Sequence, residues 1–557
     1  MALDDVVYAQ PLVVPDVAIA GGKHDVVYVV TENNTIYAID GDTGSILLTR
    51  NLGSTVPLAA LPGACNNNGP RVGIESTPVI DLSHHAIYLI SYTKIKERPA
   101  YLLYAVDLST LGDQARPVVV SASHTLADGS AFVFNAANQR QRAALLLANG
   151  NVYAGFASWC DHPNGSRGWL LGWRAFDLKP LAANILDDRL ATSPVSHLSS
   201  IWMSGYGMAA DASGHLYFAT GNSNEGTHNS SSNLSESVVK VAADLTHVAA
   251  FFTPSNVNFL DQRDIDLGSG GVLLLPDQPG KIPHLAAAAG KDGRMFLINR
   301  EHLGGFSATT DNNLGTYSIG SCWCGQSYYL NNIVSSGDNQ IGVWRVNTSP
   351  KLSLTKISSS ISTGGPAGDN GGFFTAVSSN GASNVMIWAV SRQRNGTPPV
   401  TLFAFQPVAG SGQLKLLFQS TAGNWNLPSP SDANPNIVPV VANGHVYVAS
   451  YKELDVFGFV PPQAKLPVIT REFPRTPPPI AGLPKSTPGL ITKVNGSRFS
   501  MKTAVGSDVQ VDAGAAIKNG LSEVLAPGRG VSVQGSTDAQ GILHADIINR
   551  ASFMTKP

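Results

Sequence analysis

Residues 25–53, DVVYVVTENNTIYAIDGDTGSILLTRNLG, hold three β-prone runs at 26–31, 35–40 and 45–52, separated by Glu32-Asn33-Asn34 and Gly41-Asp42-Thr43-Gly44. Asn and Gly tolerate positive φ, so each gap closes a tight hairpin. With the run at 10–14 ahead of them, they make a four-stranded antiparallel meander. One meander has two raw edges and too small a core to stand alone. Copies must therefore pack face to face around an axis, which predicts a β-propeller.

Working outward, eight segments suit a blade's inner strand: 10–14, 76–80, 142–148, 205–211, 270–275, 326–331, 373–378 and 436–442. Most are followed by a second strand, as at 151–155, 214–219 and 444–449. The expectation is all-β, an eight-bladed propeller over 1–459, with seven blades as the alternative. The last blade offers strands near Ile437, Val446 and 454–459 but no fourth. Residues 2–7 are expected to supply it and close the ring. A proline-rich stretch, 460–488, reads as an extended linker. β-character returns over 489–557, which predicts a small barrel of five or six strands.

Totals narrow the function. Charged residues are 14% of 557 and the formal net charge is -2, so no footprint for nucleic acid is present. No apolar run approaches the length of a membrane span. A small molecule, a glycan or a protein is the expected partner, and a monomer the expected state. Met1 runs straight into strand-forming sequence without a basic and apolar leader. The low charge and proline-rich stretch point to a secreted or periplasmic protein whose leader has been removed, with a cytosolic protein as the alternative. Cys65, Cys160, Cys322 and Cys324 are an even set, compatible with disulfides in an oxidising compartment or with unpaired thiols.

In a propeller, the loops entering inner strands and those between second and third strands share one face. Here these loops carry Tyr8 and Gln10, Cys65 to Asn68, Glu75, Gln139 to Arg142, Trp202, Asp264 and Asp266. They also carry Cys322-Trp323-Cys324-Gly325-Gln326, Asp369-Asn370, Asn434 to Asn436, and Cys160-Asp161-His162. The candidate ligand-binding residues are therefore Gln10, Arg140, Arg142, Trp202, Trp323, Gln326, Asn370 and Asn436, at the mouth of the central channel. Glu75, Asp264 and Asp266 need a cation, an arginine or water near the axis. Arg140 and Arg142 would make a structural ion pair; a calcium-type oxygen site is the other reading, and the spacing matches no metal loop. Cys322-Trp323-Cys324 reads as a short strained disulfide, as two bonds to partners elsewhere, or as two soft metal ligands. No nucleophile elbow, phosphate loop or zinc-protease helix appears.

VVYVVTENNTIYAIDGDTG resembles the repeat of pyrroloquinoline-quinone-type propellers, a superfamily that spans quinoprotein alcohol dehydrogenases and cofactor-free assembly scaffolds. YAQPLVV at Tyr8, GIESTPVID at Gly73, QRQRAALLLANGNVYAGFASWCD at Gln139, GWLLGW at Gly168, DLGSGGVLLLPD at Asp266, AGKDGRMFLINR at Ala289 and CWCGQSYY at Cys322 resemble a group of secreted bacterial and fungal members without an assigned activity. The end of the chain, from RGVSVQG at Arg529, resembles a small β-barrel appended to bacterial secreted proteins. The resemblance implies a quinone stacked between a tryptophan floor and a disulfide of adjacent cysteines, beside calcium. This chain has no adjacent Cys-Cys pair, and the tryptophan that usually ends each repeat is replaced by Leu47. Two readings follow. One is a propeller that binds a glycan, peptide or protein partner on the cysteine-bearing face. The other is an enzyme: a quinoprotein-like oxidoreductase for alcohols or sugars using quinone and calcium, with Asp266 or Glu75 as general base, or another carbohydrate-active enzyme.

Overall fold

The computed structural model describes residues 1–161, 165–191, 199–321, 323–361, 372–391, 399–429, 431, 433, 435–458, 487–503, 507–518 and 525–550. Eight sheets, antiparallel apart from the short strand Gly305–Phe306 that adds in parallel to the fourth, form an eight-bladed propeller, numbered here from the first inner strand. The inner strands are Leu12–Ile19, Val79–Asp81, Leu146–Ala148, Ala209–Ala210, Val272–Leu274, Ser327–Tyr329, Phe373–Asn380 and Val440–Ala442. Each lies within or overlaps one of the eight segments expected from sequence, so the seven-bladed alternative falls.

Blade 1 shows why the repeat folds this way. Its strands Leu12–Ile19, Gly22–Val30, Thr35–Asp40 and Ile46–Asn51 pair in sequence order. Val26 to Val30 are all buried, because the second strand is covered by neighbouring blades on both faces. The turn after the third strand is set by Asp40, whose Oδ1 accepts from the Thr43 amide at 2.7 Å and the Thr43 hydroxyl at 2.8 Å. Gly44 then takes φ of 70°. Asp107 does the same in blade 2, accepting from the Ser109 and Thr110 amides. Blades are stitched to each other by tyrosines, as where the Tyr28 hydroxyl donates to the Leu108 carbonyl at 2.7 Å.

The ring closes as expected. Blade 8 takes Val440–Ala442, His445–Ala449 and Tyr451–Gly458 from one end of the chain and Ala2–Val6 from the other. Ala2 faces Glu453 and Val6 faces Tyr451 in this pairing.

The barrel is a separate compact unit. Its closed order is Thr487–Asn495, Arg498–Thr503, Asp508–Asp512, Ile542–Arg550 and Gly530–Thr537, five strands in all. Ile491, Phe499, Met501, Val511, Val531, Val533, Leu543 and Ile548 fill it. Residues 459–486, most of the expected linker, lie outside the described residues. Among the described residues no helix is long and apolar enough to cross a membrane.

Candidate functional site

A cavity of about 320 Å³ opens among the entry loops and the second-to-third-strand loops, lined by charged side chains on two sides and by two indoles. On one side Glu75, buried at the start of blade 2, receives Arg140 from blade 3 through Nε at 2.9 and 3.1 Å and through Nη2. Arg142, two residues on, brings Nε to 3.4 Å of the same carboxylate. Arg140 is further held by the Asn67 amide oxygen at 3.1 Å. Burial opposes the Arg140 charge, yet Glu75 more than offsets it and holds its pKa above the ordinary value. Arg142 has no such compensation. Burial outweighs its share of Glu75 and lowers its pKa.

Arg142 is the unusual member. Its side chain is 2% exposed and lies over the Tyr8 ring at 5.2 Å. Nη1 and Nη2 have no hydrogen-bond acceptor among the described residues, and neither the Tyr8 hydroxyl nor Asn436 Oδ1 has a partner there. All three residues line the cavity. Gly205, at φ of +90°, makes room for this guanidinium, because a Cβ there would stand 2.1 Å from Nη1.

Across the cavity the charges are reversed in number. Lys291 Nζ lies 2.5 Å from Asp266 Oδ2 and 2.9 Å from Asp264 Oδ1. It also sits 4.7 Å from the Trp323 ring centroid and 5.6 Å from that of Trp202. The two indoles meet edge to face at 5.5 Å. Asp266 Oδ1 accepts from the Asn222 amide at 2.8 Å. Burial pushes the Asp266 carboxyl up, but Lys291 outweighs it and the net pKa is lowered. Asp264 is left-handed, φ 53°, at the end of the helix Val257–Arg263, and keeps 59% of its side chain exposed. Behind Asp266 lies Glu236, buried and held well above the usual carboxylate range by desolvation and by Asp266.

The disulfide Cys65–Cys160 ties the entry loop of blade 2 to the second-to-third-strand loop of blade 3, with Cys160 in the cavity wall. Cys324 is also disulfide-bonded. Cys322 and Asn370 lie outside the described residues. Gln10 lines a smaller chamber of about 100 Å³ that shares Tyr8 and Asn436 with the mouth, and its amide donates to Thr77 Oγ1 at 2.8 Å. Gln326 turns toward its own loop, with Nε2 3.4 Å from the Cys324 carbonyl. Thus Arg140, Arg142, Trp202, Asp264, Asp266, Trp323 and Asn436 share one cavity, with Glu75 buried behind the two arginines, while Gln10 and Gln326 do not line it.

Lys291 was not singled out by the sequence reading. The signal was present, because Gly290-Lys291-Asp292-Gly293 is a second-to-third-strand turn and such turns lie on this face. Among the described residues no group of three or more His, Cys, Asp or Glu side chains is placed to hold a metal ion.

No protein-family model matches the chain, and no curated protein matches it. Among solved structures it is similar to quinohemoprotein alcohol dehydrogenase from Comamonas testosteroni, at 14% identity over 80% of this chain and 71% of that one, with TM-score 0.48. Similar too is quinohemoprotein alcohol dehydrogenase ADHIIG from Pseudomonas putida HK5, at 15% identity over 80% and 70%, TM-score 0.49. BamB from Moraxella catarrhalis matches at 10% identity over 82% and 99%, TM-score 0.46. These are likenesses in the arrangement of strands.

Proposed function

We propose that the channel mouth binds a compact small molecule bearing a carboxylate on a ring, the class that includes uronic sugars and carboxylated quinones. One observation carries this: the buried Arg142 guanidinium, with both terminal nitrogens lacking an acceptor among the described residues, in the wall of a ligand-sized cavity. A buried cation with unmet donors is costly, and a bidentate carboxylate meets both donors at once. Tyr8 and Asn436 stand beside it to fix orientation, and Trp202 and Trp323 give the ring an apolar wall. The disulfide Cys65–Cys160 supports an oxidising address, secreted or periplasmic. Of the partners expected from sequence, this favours the small molecule or an acidic glycan unit over a protein.

A second reading, a quinoprotein-like oxidoreductase, is favoured by Lys291, Asp264 and Asp266 sharing the cavity with the indoles. A carboxylated quinone fits the cationic wall; bound, it would supply the electron acceptor for oxidation of an alcohol. Asp266 and Glu75 are both committed to cations, so the exposed face of Asp264 is the better place to receive the alcohol proton. Calcium does not fit these residues, since Glu75 and Asp266 are each paired with a cation and Asp264 alone has charge to spare, too few carboxylates for such a site.

Calorimetric melting tests both. Glucuronate or pyrroloquinoline quinone at about a hundred times its Kd stabilises the native state by about 2.7 kcal/mol, and glucose does not. Arg142→Gln abolishes the effect. No shift with either carboxylate overturns the binding reading. A shift with quinone but no dye reduction from any alcohol or sugar removes the oxidoreductase.

A further inference from the structure

A second cavity, of about 420 Å³, lies between the outer parts of blades 3 and 4, away from the channel. Its apolar lining includes Ile185, Leu186, Leu234 and Ala250. Its polar lining includes Asp187, Arg189, His124 and the hydroxyl side chains Ser230, Ser231 and Thr246.

Asp187 is the feature that asks for a ligand. It is 2% exposed, and neither carboxylate oxygen has a hydrogen-bond partner among the described residues. The outer strand of blade 3 pairs Leu170 with Ile185, and side chains alternate along a strand. Asp187 therefore shares a face with Ile185. That face packs on blade 4, because Ile185 and Leu170 belong to one core with Leu216, Leu234 and Val238. The carboxylate is thus on the side of the sheet that bounds the cavity. Gly168 opposite makes room for it: a Cβ there would stand 2.7 Å from Asp187 Oδ2 and 1.8 Å from the Ser199 carbonyl. Burial and the neighbouring Asp188 push the Asp187 carboxyl well above the usual range, so leaving it without a partner is costly.

We infer that this interblade cavity is a second ligand site, for a neutral sugar or other polyol, anchored by hydroxyl groups donating to Asp187. The charge balance selects this class. One buried carboxyl group and one guanidinium share the wall, so an amine would meet the Arg189 charge and an acid would lie against a carboxyl that already resists ionisation. A polyol both donates and accepts, and suits both. Its hydroxyls donate to Asp187 and accept from Arg189, of which only Nη2 has a side-chain hydrogen bond among the described residues, to the Ser231 carbonyl at 2.8 Å. The C–H face of the ring lies on Ile185, Leu234 and Ala250. This inference is independent of the channel mouth and stands or falls separately.

Hydrogen–deuterium exchange of the full chain with glucose, galactose, mannose or xylose tests it. At least one sugar is expected to slow exchange over residues 184–189 and 246–251. Asp187→Ala should weaken that sugar by at least about tenfold. Ala250→Trp, which fills the cavity and leaves Asp187 in place, should abolish the protection while the melting temperature holds; this variant decides the matter if Asp187→Ala fails to fold. The inference is overturned if none of the four sugars protects these residues, if protection appears only at the channel mouth, if it persists unchanged in both variants, or if propylamine protects and the sugars do not.

Discussion

The two sides of the channel mouth are built from the same kinds of charge in opposite proportion. Glu75 faces two guanidinium groups, whereas Lys291 faces two carboxylates. The first side is left with one cation too many, held inside the protein on Arg142. The second is left with one carboxylate too many, and Asp264 carries that excess to solvent. The surplus is free to act on a ligand in both cases, but only the buried surplus is costly to keep. That difference is why Arg142, rather than Asp264, carries the functional reading.

The comparison breaks most severely at Glu75. Glu75→Gln leaves the buried Arg142 and the largely buried Arg140 without the carboxylate they share and should destabilise the propeller by about 3–5 kcal/mol, read by urea unfolding. If the loss is under about 1 kcal/mol, the pair is not held in a low-dielectric site. Lys291→Met should cost slightly less, since Asp266 keeps its hydrogen bond from the Asn222 amide and Asp264 is exposed to solvent. Its pH signature is specific. Lys291 depresses the folded pKa of Asp266, so the stability it contributes is present above the ordinary carboxylate value and is lost as pH falls through the depressed one. In Lys291→Met that acid-side loss should vanish.

Arg142→Gln sharpens the contrast from the other direction. Carboxylate affinity should fall by about 1.5–3 kcal/mol, as for a charged hydrogen bond, while stability stays level or rises because an undercompensated buried cation has gone. A large loss of stability would make Arg142 structural. Asp261, buried behind the Lys291 side, has its pKa raised to about 8 by desolvation. Its native state binds a proton more tightly than the unfolded chain, so stability is fullest below the unfolded value and falls as pH rises toward 8. Asp261→Asn should flatten that slope in melts across the range. Asp264→Asn, at an exposed position, should change stability by no more than about 0.5 kcal/mol.

The repeats made the fold readable. Most inner strands start with a short β-prone run and most tight turns carry Asn, Asp or Gly, so eight blades and the shared eighth sheet are legible from the repeats, although Lys96-Glu97 closes the hairpin of blade 2 without any of the three. Local rules also placed Glu75, Arg140, Arg142, Trp202 and Asp266 on one face. They did not say which charge meets which, because Glu75 and Arg140 stand in different blades. Lys291 was passed over because a lysine in a Gly-rich turn looks like a solvated one, and only the facing carboxylates show otherwise. The Cys65–Cys160 bridge was equally hidden, since its sequence separation is 95 and four cysteines allow three pairings.

The pairing of Ala2–Val6 with Tyr451–Gly458 also sets a timetable. A ribosome adding about 5–20 residues per second takes roughly 20–90 seconds to travel from one strand to the other. For that interval seven nascent blades wait as an open arc, with a naked β-edge at the start and no neighbour for blade 1 on its outer flank. The last propeller strands to emerge must find the first ones made. Whatever shields that edge in the meantime decides how much of the newly made chain ends as a closed ring and how much as aggregate.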